Sequence, residues 1–249
     1  MKCNSFPFIP QRASIFLQSL VLFLFVMNFP SVICTYLWHT CDNSSTFRKG
    51  STYPTNLNLV INDLFRNAPK SSGFNTSSHG QSPNKVYGLV QCTGNISPLK
   101  CSKCVVEANS SIQEGCANDI GGRIWLGDCF LRYQSSNFIS TLDTNGPILV
   151  NVNSITGEVF KSTTGRLLSN LSNKAYIPAN KGFAAGSANY SASGMLYGSV
   201  QCWRDISTKD CRKCLDAATT TLNECCSTNQ GAQFLGGSCK VRYETYSFF

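Results

Sequence analysis

Two pairs of cysteines stand three residues apart, Cys101 with Cys104 and Cys211 with Cys214. That spacing suits three chemistries: two such pairs can hold zinc, one pair can cycle as a dithiol, or each sulfur can bond to a distant partner. Structural zinc belongs mostly to reducing compartments, and no histidine supports either pair. Dithiol cycling calls for a βαβ setting. Disulfides to distant partners are the fitting chemistry if the chain is exported. The pairs also belong to a longer run. Cys92, Cys101, Cys104, Cys116 and Cys129 read C-x8-C-x2-C-x11-C-x12-C, and adding 110 to each number gives Cys202, Cys211, Cys214, Cys226 and Cys239. A gapless repeat of this kind marks a tandem duplication whose spacing is held by covalent geometry.

The N-terminus reads as an export signal. Lys2 and Arg12 precede Ile15 to Val26, which is apolar apart from Gln18 and Ser19, and Pro30 follows. The apolar stretch is shorter than the ~20 residues of a membrane span. Cleavage is expected after Cys34, with Val32 and Cys34 at the recognition positions; it removes Cys3 and Cys34 and leaves 14 − 2 = 12 cysteines, an even number. The expected organisation is a signal over residues 1–34, a first domain over 35–142, a linker over 143–147 at Asn145-Gly146-Pro147, and a second domain over 148–249. Only 14% of the chain is charged, against the usual ~25%. Six N-x-S/T sequons, at Asn43, Asn75, Asn95, Asn109, Asn170 and Asn189, offer glycans as the missing solvation. Without Lys2 and Arg12 the net charge falls from +8 to +6. The basic residues are scattered rather than clustered, so no nucleic-acid partner is expected. No apolar run after the signal is long enough for a membrane span.

The elements that position these cysteines follow from periodicity. Residues 85–138 align with 195–248 without a gap: Tyr87-Gly88 matches Tyr197-Gly198, Ile96-Ser97 matches Ile206-Ser207, and Arg132-Tyr133 matches Arg242-Tyr243. Leu57, Val60, Ile61, Leu64 and Phe65 form a helical stripe, ended at Ala68-Pro69; Phe160, Leu167, Leu168 and Leu171 repeat it less cleanly around Gly165. Lys85–Thr93 and Met195–Trp203 read as strands. A second helix follows in each copy through Cys104, Val105, Ala108 and Ile112, or Cys214, Leu215, Ala218 and Leu222. Cysteines three apart on a helix point the same way, so each can staple it to a different strand. A hairpin turns at Gly127-Asp128 and again around Gly236-Gly237. The fold class is α+β, with helices on one face of an antiparallel sheet in each of two modules.

Catalytic signals are sparse. His39 and His79 lie in no nucleophile or metal motif, and His79 falls in the polar stretch Ser71–Pro83, which reads as a surface loop. There is no Gly-rich phosphate loop. Asp119 and Asp128 flank the first hairpin, but carboxylates at that spacing are commonplace; a glycosidase pair is spatial rather than sequential. The expectation is a protein without enzymatic activity, metal or cofactor.

The run Tyr-Gly…Gln-Cys-x8-Cys-x2-Cys…Cys…Gly-x-Arg…Cys-x-x-x-Tyr resembles the ginkbilobin-homologous, or cysteine-rich stress-antifungal, domain of plants. The tandem arrangement resembles the cysteine-rich repeat secretory proteins, and is similar to the ectodomains of cysteine-rich receptor-like kinases and plasmodesmata-located proteins. The resemblance implies a five-stranded antiparallel sheet with two helices per module, and an extracellular (apoplastic) location. It also implies the pairings Cys41–Cys116, Cys92–Cys101 and Cys104–Cys129 in copy one, and Cys202–Cys211 and Cys214–Cys239 in copy two. Copy two departs from the pattern: Cys41 + 110 is Asn151, and Cys225 stands beside Cys226. That doublet leaves a vicinal disulfide, two thiols or an intermolecular bond open. Ginkbilobin binds mannose through three polar residues, and the matching positions here hold Asp42, Arg123 and Gln134 in copy one, with Gln233 and Glu244 in copy two and nothing at the first position. Two functions follow as expectations: a secreted protein that binds mannose-type glycans in defence, or a protein-recognition module of the wall space. Under the second, Trp203, in place of Thr93, is an interface candidate.

Overall fold

The computed structural model describes residues 34–42 and 45–249. The expected signal therefore lies outside the described residues except for Cys34, as does the sequon residue Asn43.

Each module is one five-stranded antiparallel sheet with two helices on one face. Module one contains β1 (Tyr36–Cys41), α1 (Tyr53–Asn67), β2 (Phe74–His79), β3 (Val86–Cys92), α2 (Pro98–Gly115), β4 (Gly121–Leu126) and β5 (Cys129–Gln134). Module two repeats it as β6 (Ile148–Val150), α3 (Glu158–Ala175), β7 (Phe183–Asn189), β8 (Met195–Cys202), α4 (Thr208–Cys226), β9 (Gly231–Leu235) and β10 (Cys239–Glu244). The strand orders are β1-β4-β5-β3-β2 and β6-β9-β10-β8-β7, the same topology twice.

The repeated residues explain the repeated elements. Ser97 and Ser207 begin the second helix of each module. Their hydroxyls accept from the backbone N–H of Lys100 and Asp210, which satisfies a donor that the first turn leaves open. Gly88 and Gly198 lie where the first helix crosses the sheet. A Cβ on Gly198 would come within 3.1 Å of Leu167 and 3.0 Å of Leu171, and a Cβ on Gly88 would press on Val60 and Leu64. The glycines thus let helix and sheet approach closely. The expected stripe of α1 is buried at Leu57, Val60, Ile61 and Leu64, with Tyr53 joining it and Phe65 turned outward.

Ser71–Pro83, read as a loop, contains β2, which pairs in register with β3 from Phe74↔Gln91 to His79↔Val86. Its Ser and Thr residues carry no apolar alternation because it is an edge strand, held by backbone pairing. The bridges are Cys41–Cys116, Cys92–Cys101, Cys104–Cys129, Cys202–Cys211, Cys214–Cys239 and Cys225–Cys226. In each module α2 or α4 is tied by one sulfur to β3 or β8 and by the next to β5 or β10. Only module one also ties its first strand. Cys34 is the one free thiol among the described residues. It is buried, its N–H donates to Glu107, and its Sγ lies 2.8 Å from Cys104 Sγ.

The strands alternate between two apolar faces. One face of each sheet packs on its own helices. The opposite faces meet in a third cluster, with Leu89, Trp125, Phe130 and Phe138 from module one and Trp203 and Leu235 from module two. Trp203 is 3% exposed and stacks on Phe130, with centroids 4.7 Å apart and planes 8° from parallel. It is therefore an internal weld between modules, not the exposed interface residue expected from the sequence. Gln91 and Gln201, equivalent by the repeat, both donate to the carbonyl of Cys92, at 2.8 and 3.1 Å. Trp125 Nε1 donates to Gly236 O across the same seam.

Candidate functional site

The three copy-one residues singled out above come from three different strands or strand ends and line one cleft of about 300 Å3. Asp42 follows β1, Arg123 lies on β4 and Gln134 ends β5. Register brings them together: Cys41 pairs with Gly122, Gly121 with Gln134, and Arg123 with Arg132. Gly121 keeps the floor open, since a Cβ there would meet Asp42 Cβ at 3.1 Å and Gln134 Cγ at 3.2 Å. The cleft is polar. It offers a carboxylate, a guanidinium and an amide, a set able to accept from and donate to hydroxyls.

Arg123 is held from two sides. Its Nε donates to Thr40 Oγ1 at 3.1 Å, and its Nη1 lies 2.7 Å from Asp143 Oδ2. The same carboxylate oxygen accepts from Arg132 Nη1 at 3.3 Å, and Arg132 Nη2 donates to Gln134 Oε1 at 2.9 Å. Asp143 is fastened in turn to module two, where its backbone N–H donates to Ser238 Oγ. Burial, then the neighbouring charge of Arg123, holds the Arg132 guanidinium below its usual range, against the pull of Asp143 and Asp205. Arg132 and Asp143 belong to the site and were missed by sequence reasoning. Arg132 carried a signal, since Arg132-Tyr133 recurs as Arg242-Tyr243. Asp143 carried none, because it lies in the connecting segment and acts only through the folded contact.

The copy-two positions form a different arrangement. Gln233 and Glu244 are 8% and 6% exposed, and each has a buried side-chain oxygen without a hydrogen-bond partner. Glu244 Oε1 accepts from Arg242 Nε and Nη2, both at 3.1 Å. Arg242 also stacks over Phe248, 4.1 Å from the ring centroid. The counterpart of Asp42 is Val152, 87% exposed. The structure thus gathers Asp42, Arg123 and Gln134 on a cleft, and sinks Gln233 and Glu244 beneath the module-two surface.

His39, Cys41 and Cys116 place three possible metal-ligand atoms within 4.8 Å of one another. Both sulfurs are joined in a disulfide, so neither is a thiolate, and His39 Nδ1 is engaged by the Tyr36 hydroxyl at 2.5 Å. Asp128 pairs with Lys100 at 3.7 Å. Of the sequon residues, Asn95, Asn170 and Asn189 are exposed, while Asn75 and Asn109 are half-buried. No helix among the described residues is long and apolar enough to cross a membrane.

Comparison with known proteins agrees with this architecture. The chain matches the salt stress response/antifungal family over residues 40–136 and again over 150–246. It is 38% identical to an antimicrobial ginkbilobin-2-like protein of Castanea crenata over 85% of this chain and 88% of that one. It is 36% identical to cysteine-rich repeat secretory protein 55 of Arabidopsis thaliana over 86% and 83%. A cysteine-rich receptor-like protein kinase of that plant, number 25, is 31% identical over 96% of this chain but only 36% of its own length. In fold, the chain resembles the tandem DUF26 ectodomain of the Arabidopsis thaliana cysteine-rich receptor-like protein PDLP8, with a TM-score of 0.76 at 23% identity, covering 86% of this chain and 100% of that one. With two matched domains, a doubled cysteine run and two copies of one sheet topology, the chain belongs to the salt stress response/antifungal (DUF26) family in its tandem form.

Proposed function

We propose that this is a secreted binding protein of the plant extracellular space that acts in defence or stress response without catalysing a reaction, and that module one recognises mannose-type glycans. The observation that carries the reading is the convergence of Asp42, Arg123 and Gln134 on one polar cleft. Six disulfides among the described residues support an oxidising compartment, and the names of the relatives speak of secretion and antimicrobial action for those proteins. In the cleft, Arg123 is oriented by Thr40 and Asp143, so its remaining donors are presented without a large loss of side-chain freedom. Module two serves as the support that holds Asp143. The test is a glycan array with recombinant residues 35–249, followed by titration of the best mannoside. Arg123→Ala is expected to weaken binding at least ~10-fold, because an unmatched hydroxyl loses a charged partner. A blank array, or a mannoside bound equally by the variant, would overturn the reading.

A second reading, protein recognition without sugar binding, is favoured by the edge strand β1. Its Tyr36 and Trp38 are 50% and 44% exposed beside the same cleft-forming strand. A blank glycan array together with a specific extracellular protein partner lost on Trp38→Ala would support it.

A further inference from the structure

The seam between the modules has two ends related by the 110-residue offset, and they differ in chemistry. At one end Phe130 stacks on Trp203, and Arg132 lies over Phe138, 4.2 Å from its centroid. Arg132 there is balanced by Asp143, and Asp205 lies close enough to add to that balance. At the other end the counterparts of Phe130, Trp203 and Asp205 are Lys240, Thr93 and Asn95. The aromatic stack is replaced by an amine and a hydroxyl, the carboxylate by an amide, and a cleft of about 350 Å3 opens. That volume lies within the usual range for small-ligand sites, roughly 300–1,000 Å3.

The charges in this cleft do not close. Lys100 pairs with Asp128 at 3.7 Å, and Arg242 pairs with Glu244 at 3.1 Å. Among the described residues Lys240 makes no ion pair, and its Nζ donates to the carbonyl of Gly127, at 3.4 Å. Desolvation, then repulsion from Arg242, lowers its pKa to about 8, with Asp128 and Cys34 acting the other way. The walls are aromatic on one side, where Phe183, Phe248 and Phe249 contribute, and Phe183 is pressed on Gly94 of the other module. Asn95 and Ser199 provide neutral hydrogen-bonding groups. Asp128 and Glu244 already pair with Lys100 and Arg242, so Lys240 is the cation in excess, and a partly buried cation in excess favours a carboxylate ligand. Ring faces beside amide and hydroxyl groups favour a body with apolar C–H faces and many hydroxyls over a planar aromatic acid, which would leave those polar groups unmatched.

We propose that this inter-module cleft is a binding site for acidic saccharides of the uronic-acid class, with Lys240 receiving the carboxylate and the phenylalanines carrying the sugar ring. The site is separate from the Asp42–Arg123–Gln134 cleft and does not depend on it. The test is calorimetric titration of protein made without N-glycans in an oxidising bacterial compartment, which keeps the Asn95 amide, with trigalacturonate as ligand and with mannotriose and benzoate as controls. Trigalacturonate is expected to bind, and Lys240→Met is expected to weaken it at least ~10-fold while the variant folds, since a desolvated charge is replaced by an apolar chain of similar length. Phe249→Ala, which leaves the charges in place, is expected to weaken it several-fold. Because the bound carboxylate favours the charged amine, binding near pH 8 is expected to take up protons and binding well below that pH is not. No trigalacturonate binding, equal binding by Lys240→Met, or equal or tighter binding of mannotriose or benzoate would each overturn the proposal.

Discussion

At the scale of residues, the duplicated tyrosines do the same work in both copies. Tyr133 on β5 and Tyr243 on β10 reach the end of the second helix of their modules, where their hydroxyls donate to the carbonyls of Cys116 and Cys226. Tyr53 donates to Ile120 O at 2.6 Å. Burial is the leading cause of a raised pKa in all three; Tyr133 is pushed up to about 12, helped by Asp119. The folded state therefore keeps these protons above the ordinary tyrosine value of 10.0. The stability they contribute is complete below that value and is lost as pH rises through the folded values. In an alkaline titration followed by tyrosinate absorbance, these three are expected to ionise together with unfolding rather than reversibly at their ordinary pKa. The Arg123–Asp143–Arg132 group is the other residue-level finding. The sequence contained both arginines, yet a carboxylate twenty residues from Arg123 becomes a partner only because the connecting segment folds back onto the sheet.

At the scale of elements, the copies differ where their covalent restraint differs. The strand β1 has six residues and is tied through Cys41 to Cys116, whereas β6 has three and no bridge. Asn151 occupies the place of Cys41, and Cys226 bonds to its neighbour Cys225 instead. Combining Asn151→Cys with Cys225→Ser is expected to close the missing link to Cys226. Because it would close a long loop, it should stabilise by about 2–4 kcal/mol, read as a higher denaturation midpoint that reduction abolishes. The helix α3 carries a simpler flaw. Gly165 lies in mid-helix, and a Cβ there would meet only Asn223 Nδ2 at 3.8 Å. Gly165→Ala is expected to stabilise by roughly 0.5–1 kcal/mol, through the lower backbone entropy of the unfolded chain, measurable by chemical denaturation. Elements with a strong apolar period were legible in the sequence. The edge strand β2 was not, because a Ser- and Thr-rich strand paired along one edge carries no apolar alternation and looks like a loop.

At the scale of the whole molecule, the two modules form one body through the sheet faces that point away from the helices. Trp203, Phe130, Trp125 and Leu89 are each 3% exposed or less. Trp203→Ala is expected to cost about 3–5 kcal/mol and to split a single calorimetric transition into two, as the modules lose their coupling. Retention of one transition in that variant would show that the polar contacts, such as Gln201 to Cys92, suffice to hold the modules together. The asymmetry of this seam also separates the functional possibilities. The end with aromatic rings is closed, and the end with Lys240 and Thr93 is open.

The sequence alone determined the duplication, the stapled helices, the core faces and the family, because spacing and periodicity are one-dimensional records of helix pitch, strand pleat and disulfide reach. The resemblance carried by that spacing pointed to Asp42, Arg123 and Gln134. What only the tertiary structure decided is which of these residues face a cleft, which are sunk beneath the surface, and which partners they hold. Glu244 and Gln134 occupy equivalent positions in the chain, yet one is buried and the other half-exposed. The role of Trp203 likewise depended on the opposite sheet face, which no local pattern records. Accessibility and charge balance arise from residues far apart in the chain, and they exist only once the two sheets have met.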